Sequence, residues 1–403
     1  MRALVFAGLL LIADTSAVRA AQPTAAPSAC RYLTQSMMQQ PSGPVLLASY
    51  PSERAGALSG AAFVYDNSVA SIALVACGQI TQARRIGDAL LWAQGHDRFW
   101  HDGRLRNAYA AGVVRTDTVK LAGWWDPNAR KWLEDRYQVG SDTGNVAWAM
   151  LALLTLEKNT GEARYLDGAL QLARWLQGRA DARGAGGFTG GDFGHEPTPQ
   201  RLSWKSSEHN TDLAAAFHWL ARATGDVQWQ DRARAAQNFV IAMWRADTGY
   251  FAVGTADDGV TLNLLLALDA QIWPLMAIPG AATQYADALG TCDRRLRFQT
   301  GYTYSQAGGG LWSEGTAQVA VLLQLLHRDS AARAVQASLQ TQRAQDGGYY
   351  ASDVPATPTG FMLATDPSKP RVYFHLEHLG AAAWAALSEQ RFNPFTGRSE
   401  LAQ

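Results

Sequence analysis

The chain has 403 residues, no net formal charge, 47% hydrophobic residues and only 17% charged ones. A nucleic-acid binder carries a basic excess and a disordered chain lacks apolar material, so both classes are excluded. No segment offers 18 unbroken apolar residues, which excludes an integral membrane protein.

Residues 1–20 have the three parts of a secretory signal peptide. Met1-Arg2 is a positive start, 3–13 is a short apolar run, and Val18-Arg19-Ala20 sets small residues before a cut at Ala21. The mature chain is expected to be exported, periplasmic or secreted. Cys30, Cys77 and Cys292 are too few for a disulfide framework; one bridge with an odd thiol is open to an exported chain.

Beyond this point an apolar helical run recurs, each time just after an acidic residue. The runs follow Asp66 (NSVASIALVAC), Asp142 (NVAWAMLALLTLE), Glu208 (NTDLAAAFHWLARA), Asp269 (AQIWPLMAI), Glu314 (TAQVAVLLQLLH) and Glu377 (LGAAAWAALSEQ). They are apolar nearly all round, as helices buried on every side are. Between them lie amphipathic helices, such as 162–177, 227–244 and 330–343, with Arg, Asp and Gln at helical spacing. These read as outer helices, stopped by Gly186-Gly187-Phe188, Gly249-Tyr250-Phe251, Gly301-Tyr302 and Gly347-Gly348-Tyr349-Tyr350.

Six inner helices precede five outer ones. A helix near 30–40 supplies the missing partner, so the expected fold is all-α: a closed (α/α)6 barrel filling 21–403 as a single domain. An open solenoid is the alternative, but it needs polar end caps. Residues 96–140 break the rhythm after the first hairpin as an aromatic-rich insertion, the length of a functional excursion or lid.

In such a barrel the N-termini of the inner helices share one end, and their acidic residues form a ring. Tyr65, Asn67, Asn145, His209, Asn210, Asp212, Gln271, Gln318, His375 and His378 join it. Trp148, Trp204, Trp273, Trp312 and Phe374 flank it, with Trp124 and Trp125. Helix capping and the helix dipole account for some of the acidic positions. Glu is not a favoured cap, so Glu208 and Glu314 exceed what capping needs. Carboxylates and amides bind sugar hydroxyls, aromatic plates bind sugar faces, and a pair of carboxyls can cleave a glycosidic bond. The expected roles are Glu208 or Glu314 as general acid and Asp66 as base. Tyr65, Asn67, Asp142, Asn145, Trp204, His209, Asn210, Asp269, Gln271, Trp312, Gln318, His375, Glu377, His378, Trp124 and Trp125 are expected to hold substrate.

The strings SEHNTDL (207–213), WSEGTAQ (312–318) and HLGAAAW (378–384), with Asn393-Pro394-Phe395, resemble a group of exported bacterial proteins in the (α/α)6 six-hairpin glycosidase superfamily. The resemblance covers roughly 62–395. It implies that fold and a carbohydrate substrate, and in several such glycosidases a catalytic or sugar-holding Asp stands where Tyr65-Asp66-Asn67 stands here. It does not separate hydrolase from lyase or epimerase, because the fold hosts all three. The stretch 208–222 also resembles the central helix of N-acylglucosamine 2-epimerase-like enzymes, in which histidines move the proton. A lyase would draw on Tyr65, Arg371 and Tyr373. A non-catalytic glycan-binding protein would keep the aromatics without needing the acids. The leading expectation is a glycoside hydrolase, monomeric, with no metal and no cofactor: His375-Leu376-Glu377-His378 lacks the spacing of a zinc motif.

Overall fold

The computed structural model describes residues 28–114 and 118–403. The expected signal peptide, 1–20, lies outside the described residues. The helices are α1 (Ala29–Met38), α2 (Val64–Ala76), α3 (Ile80–Gly95), α4 (Thr143–Thr160), α5 (Ala163–Gln177), α6 (Ser207–Thr224), α7 (Val227–Ala242), α8 (Asp269–Ala277), α9 (Ala281–Gln284), α10 (Asp287–Arg295), α11 (Ser313–Leu325), α12 (Asp329–Gln340) and α13 (Leu379–Gln390).

The apolar helices form a closed inner ring. α2 packs on α4, α4 on α6, α6 on α8, α8 on α11, α11 on α13, and α13 returns to α2. This is the expected (α/α)6 barrel and not a solenoid. In α4 every residue from Thr143 to Leu156 is buried, because inner neighbours flank it on both sides and an outer helix covers its back. The outer helices bury one stripe each: α5 buries Tyr165, Gly168, Ala169, Leu172, Ala173, Trp175 and Leu176 and leaves the rest to solvent. Gly161 and Gly225, at φ 71° and 72°, end α4 and α6 in the left-handed conformation that a glycine adopts without steric cost. The fourth hairpin is irregular: Pro279-Gly280 follows α8, and its outer partner is split into α9 and α10.

The two ends of the ring are joined. α1 packs on α13, and the Glu389 carboxylate accepts the Ala29 N–H at 2.9 Å. A disulfide links Cys30 in α1 to Cys77 at the end of α2, while Cys292 is free and buried. At the far end of the barrel Phe395 packs on Trp148 and Trp273, and Asn393 donates to the Met276 carbonyl at 3.0 Å.

The glycine-aromatic strings do not cap the outer helices. α7 already ends at Ala242, and Gly249 sits in the turn between the paired strands Trp244–Arg245 and Tyr250–Phe251. The same small hairpin recurs at Arg297–Phe298 and Gly301–Tyr302. Each returns the chain to the rim.

Between α3 and α4, residues 96–114 and 118–142 form strands and loops and no helix. The strand Ala108–Ala110 pairs with Ala61–Phe63, and a hairpin pairs Trp124–Asp126 with Lys131–Leu133. The fully buried Arg106 anchors this segment, donating to Asp97 at 2.5 Å and to Glu196 at 2.9 Å. A second excursion is the long hairpin Ala356–Leu363 and Asp366–Phe374 between α12 and α13. Among the described residues no helix is long and apolar enough to cross a membrane.

Candidate active site

The acidic residues stand at the N-terminal ends of the inner helices, but capping is not what most of them do. Ser206 caps α6 by accepting the His209 N–H, which leaves Glu208 free of that task. Asp142 occupies the cap position of α4 without making the cap hydrogen bond. His378 caps α13 through Nδ1, which accepts the Ala381 N–H at 3.3 Å.

Two carboxyl centres result. The first spans α2, α11 and the start of α13. With Nδ1 accepting from Ala381, His378 directs Nε2–H at Asp66 Oδ1, 3.3 Å away; Glu314 Oε2 lies 3.6 Å from Nδ1. Tyr65 donates its hydroxyl to Glu314 Oε1, Gln318 donates to the same oxygen at 3.2 Å, and Trp384 donates to the Tyr65 oxygen at 2.9 Å. Burial opposes charge on His378, but the two carboxylates outweigh it and raise its pKa. Burial lifts Glu314 to about 7, with His378 working against the rise and Asp66 adding to it. The group fits together because residue 380 is glycine. A Cβ there would lie 2.8 Å from Asp66 Oδ1 and 3.0 Å from Glu314 Oε2.

The second centre joins α6 and α8. Glu208 and Asp269 are hydrogen-bonded carboxyl to carboxyl. Burial, then the charge of Asp269, holds Glu208 well above the ordinary carboxyl range. Burial also raises Asp269, to about 6, against the Ala270 N–H and the Tyr304 hydroxyl that donate to it. Glu208 is therefore the protonated partner. Asp212, one turn below on α6, is fully buried and raised by burial and by both carboxyls.

These centres differ in access. Glu208 is half-buried and is the accessible carboxyl of the ring, at the mouth of what reads as a cleft, whereas Asp66, Asp269 and Glu314 are buried. Trp204 forms one wall beside Glu208, its ring 5.5 Å from His209 and lying over Gly190, where a Cβ would come within 2.5 Å of it. Burial and then Arg371 depress His209 to about 4, so it is neutral; Thr143 Oγ1 lies 3.0 Å from its Nδ1. Tyr50 stacks on His378 at 4.8 Å. Tyr137 reaches Asn145, which also donates to Asn107 at 2.8 Å. Asp142 is buried and lifted to about 7 by that burial, against a hydrogen bond from Asn107. Below the cleft Trp148, Trp273 and Trp384 meet edge to face and stacked on the barrel axis.

Several expected substrate holders lie elsewhere. Asn67, Asn210 and Gln271 are fully buried, and their amides are consumed by the backbones of Leu47, Phe188 and Phe251. They pin the preceding loop to each inner helix. Trp312 is buried behind Tyr304 and Tyr373. Glu377 pairs by backbone with Tyr350 and is raised by burial and Asp346, away from the ring; His378 takes its place. His375 stacks on Tyr350 at 4.1 Å, with Nδ1 2.6 Å from the Ser352 carbonyl, and lines a separate surface depression with Glu53 and Phe374. Trp124 is partly buried and Trp125 exposed on the insertion hairpin. Sequence reasoning assigned no substrate-holding role to Tyr50, Asn107, Tyr137 and Tyr304, which come from loops with no periodic signal; it named Arg371 only as a residue that a lyase would draw on.

No family model matches the sequence, and no curated protein matches it. Solved structures do match, across nearly the whole chain. A glycosidase in complex with glucose is 14% identical with a TM-score of 0.59, covering 90% of this chain and 95% of that one. Cellobiose 2-epimerase from Bacillus thermoamylovorans B4167 is 12% identical with a TM-score of 0.60, covering 89% and 95%. An alpha-amylase from Clostridium perfringens is 10% identical with a TM-score of 0.64, covering 92% and 100%. The chain therefore has the six-hairpin, glycosidase-like (α/α)6 fold.

Proposed function

We propose that the protein is a carbohydrate-active enzyme that hydrolyses a glycosidic bond, with Glu208 as general acid. The observation that carries this is the environment of Glu208: it is the half-buried carboxyl of the pair, and burial, then the charge of Asp269, holds it well above the ordinary carboxyl range, which favours its protonated form. Glu208 gives its proton to the leaving oxygen as the bond from C1 breaks. A water molecule attacks C1, and its proton passes to the Asp66–His378–Glu314 centre. Trp204 offers a face for sugar stacking. The glycosidases, amylase and epimerase that share the fold are in keeping with a sugar substrate.

Export belongs to this reading. The signal-peptide pattern of 1–20 and the Cys30–Cys77 disulfide both suit an oxidising compartment.

The test is reducing-sugar release from a panel of glucans, mannans and uronate polymers by the mature protein, Glu208→Gln and Glu314→Gln. Release abolished by Glu208→Gln in a folded protein supports the assignment; unchanged release rejects it.

One observation favours a second reading, sugar 2-epimerisation. His209 is a neutral imidazole at the cleft and could take a proton from carbon. Deuterium entry at C2 of an aldose in heavy water, lost in His209→Asn, would identify that activity.

A further inference from the structure

The hairpin Ala356–Leu363 and Asp366–Phe374 brings a cation to the cleft. Side chains two apart on a strand share a face. Tyr373 packs inward against Trp312, Tyr304 and, more distantly, His378. Arg371 shares that face. Its guanidinium interacts electrostatically with Tyr373, Tyr304, Tyr137 and Glu208, and it is felt by Tyr50, Asp142, His209 and Asp269 as well. Those groups come from the N-terminal ends of α4, α6 and α8 and from three loops. Arg371 therefore lies on the side of the hairpin that faces these groups.

This guanidinium has no protein partner. Among the described residues no carboxylate lies within 4.0 Å of it, and none of its guanidinium N–H groups donates a hydrogen bond. It also remains exposed while surrounded by side chains, as a group lining a water-filled cleft does. Five other arginines behave differently. Arg98, Arg104, Arg106, Arg179 and Arg183 are each tied to at least one carboxylate. A planar fork with five open donors, aimed into a site, matches an oxyanion on the ligand. The neighbouring tyrosine hydroxyls can donate to the same oxyanion, and the inner-helix N-termini favour negative charge beside them.

We propose that the substrate is an acidic sugar and that Arg371 binds its anionic group, a carboxylate or a phosphate. The proposal rests on the sugar-active reading above, and it names the substrate class for that site.

The test separates binding from turnover. Calorimetry compares glucuronate, glucose 6-phosphate and glucose on wild-type protein, Arg371→Lys and Arg371→Gln. Because the Arg371 guanidinium makes no hydrogen bond or ion pair with the protein, both variants are expected to fold, which circular dichroism and the melting temperature check. The expected result is an anionic sugar bound about 10- to 100-fold more tightly than glucose, a preference reduced by Arg371→Lys and erased by Arg371→Gln. Preference for glucuronate identifies the carboxylate as the source, and preference for glucose 6-phosphate the phosphate. Equal binding of all three sugars, or a preference that survives Arg371→Gln, overturns the proposal. Turnover is measured on paired oligomannuronate and mannan oligosaccharides, and on paired oligoglucuronate and cello-oligosaccharides. No cleavage of any, with the anion preference intact, rejects the hydrolase reading and leaves this proposal standing. Equal cleavage of neutral and acidic partners, unaffected by Arg371→Gln, does the reverse.

Discussion

Glu208 on α6 and Asp269 on α8 meet carboxyl to carboxyl, so one proton is held between two neighbouring inner helices. Burial first, and then the charge of Asp269, favours the proton on Glu208. In Asp269→Asn that charge is gone and the Glu208 pKa falls. The alkaline limb of the pH–rate profile should then move down by about 1 unit or more, while Glu208→Gln lowers kcat by about 10²–10⁴-fold at every pH. An alkaline limb that stays in place in Asp269→Asn would show that Asp269 does not set the acid.

Asp142, Asp269 and Glu314 are raised to about 7, 6 and 7, in each case first by burial. Between its ordinary value and its raised one, each binds a proton in the folded state that the unfolded chain has released. Their stabilising effect is complete below about pH 4 and is lost as pH rises through 6 to 7. The urea midpoint should therefore be higher at pH 5 than at pH 8. Asp142→Asn keeps a good cap residue and removes one buried charge, so it should stabilise the protein at pH 8 by up to about 4 kcal/mol and have little effect at pH 4. Equilibrium unfolding at the two pH values checks both statements.

Gly380 is predicted to tolerate no side chain. An alanine Cβ would lie 2.8 Å from Asp66 Oδ1, 2.8 Å from His378 Cε1 and 3.0 Å from Glu314 Oε2. Gly380→Ala should cost about 10²-fold or more in kcat by displacing the groups proposed to receive the proton, since a 1 Å misplacement can cost that much. The variant's helical circular dichroism should stay unchanged; activity near wild type would remove this centre from the mechanism.

The Cys30–Cys77 bridge closes a 47-residue separation between α1 and the end of α2. Chain-entropy arguments give such a link about 4 kcal/mol. Cys30→Ser should lower the melting temperature, and reductant should destabilise the wild type but not that variant. Equal sensitivity of both to reductant would count against the bridge.

The ring was legible because buried inner helices have an unusual pattern: apolar all round, with one carboxylate at the entrance. Glu208, Glu314 and Asp66 could be singled out for that reason. Asn67, Asn210 and Gln271 could not be sorted by type, since an amide that holds a sugar and one that pins a loop look alike in sequence. Glu377 and His378 are adjacent, and which of them faces inward depends on the chain's entry angle into α13, a tertiary property. Tyr50, Tyr137, Tyr304 and Arg371 reach the cleft on loops or a hairpin, where the position of a side chain is set by packing far along the chain.

Asp66 lies on the first inner helix and His378 caps the last, so the Asp66–His378–Glu314 centre is assembled from the two ends of the ring. A chain emerging from the ribosome carries Asp66 for some 300 residues of synthesis before its partner exists. On the proposed mechanism, activity is thus coupled to completion of the molecule: neither a nascent chain nor one truncated before α13 is expected to be active, and turnover would report that the last helix has docked.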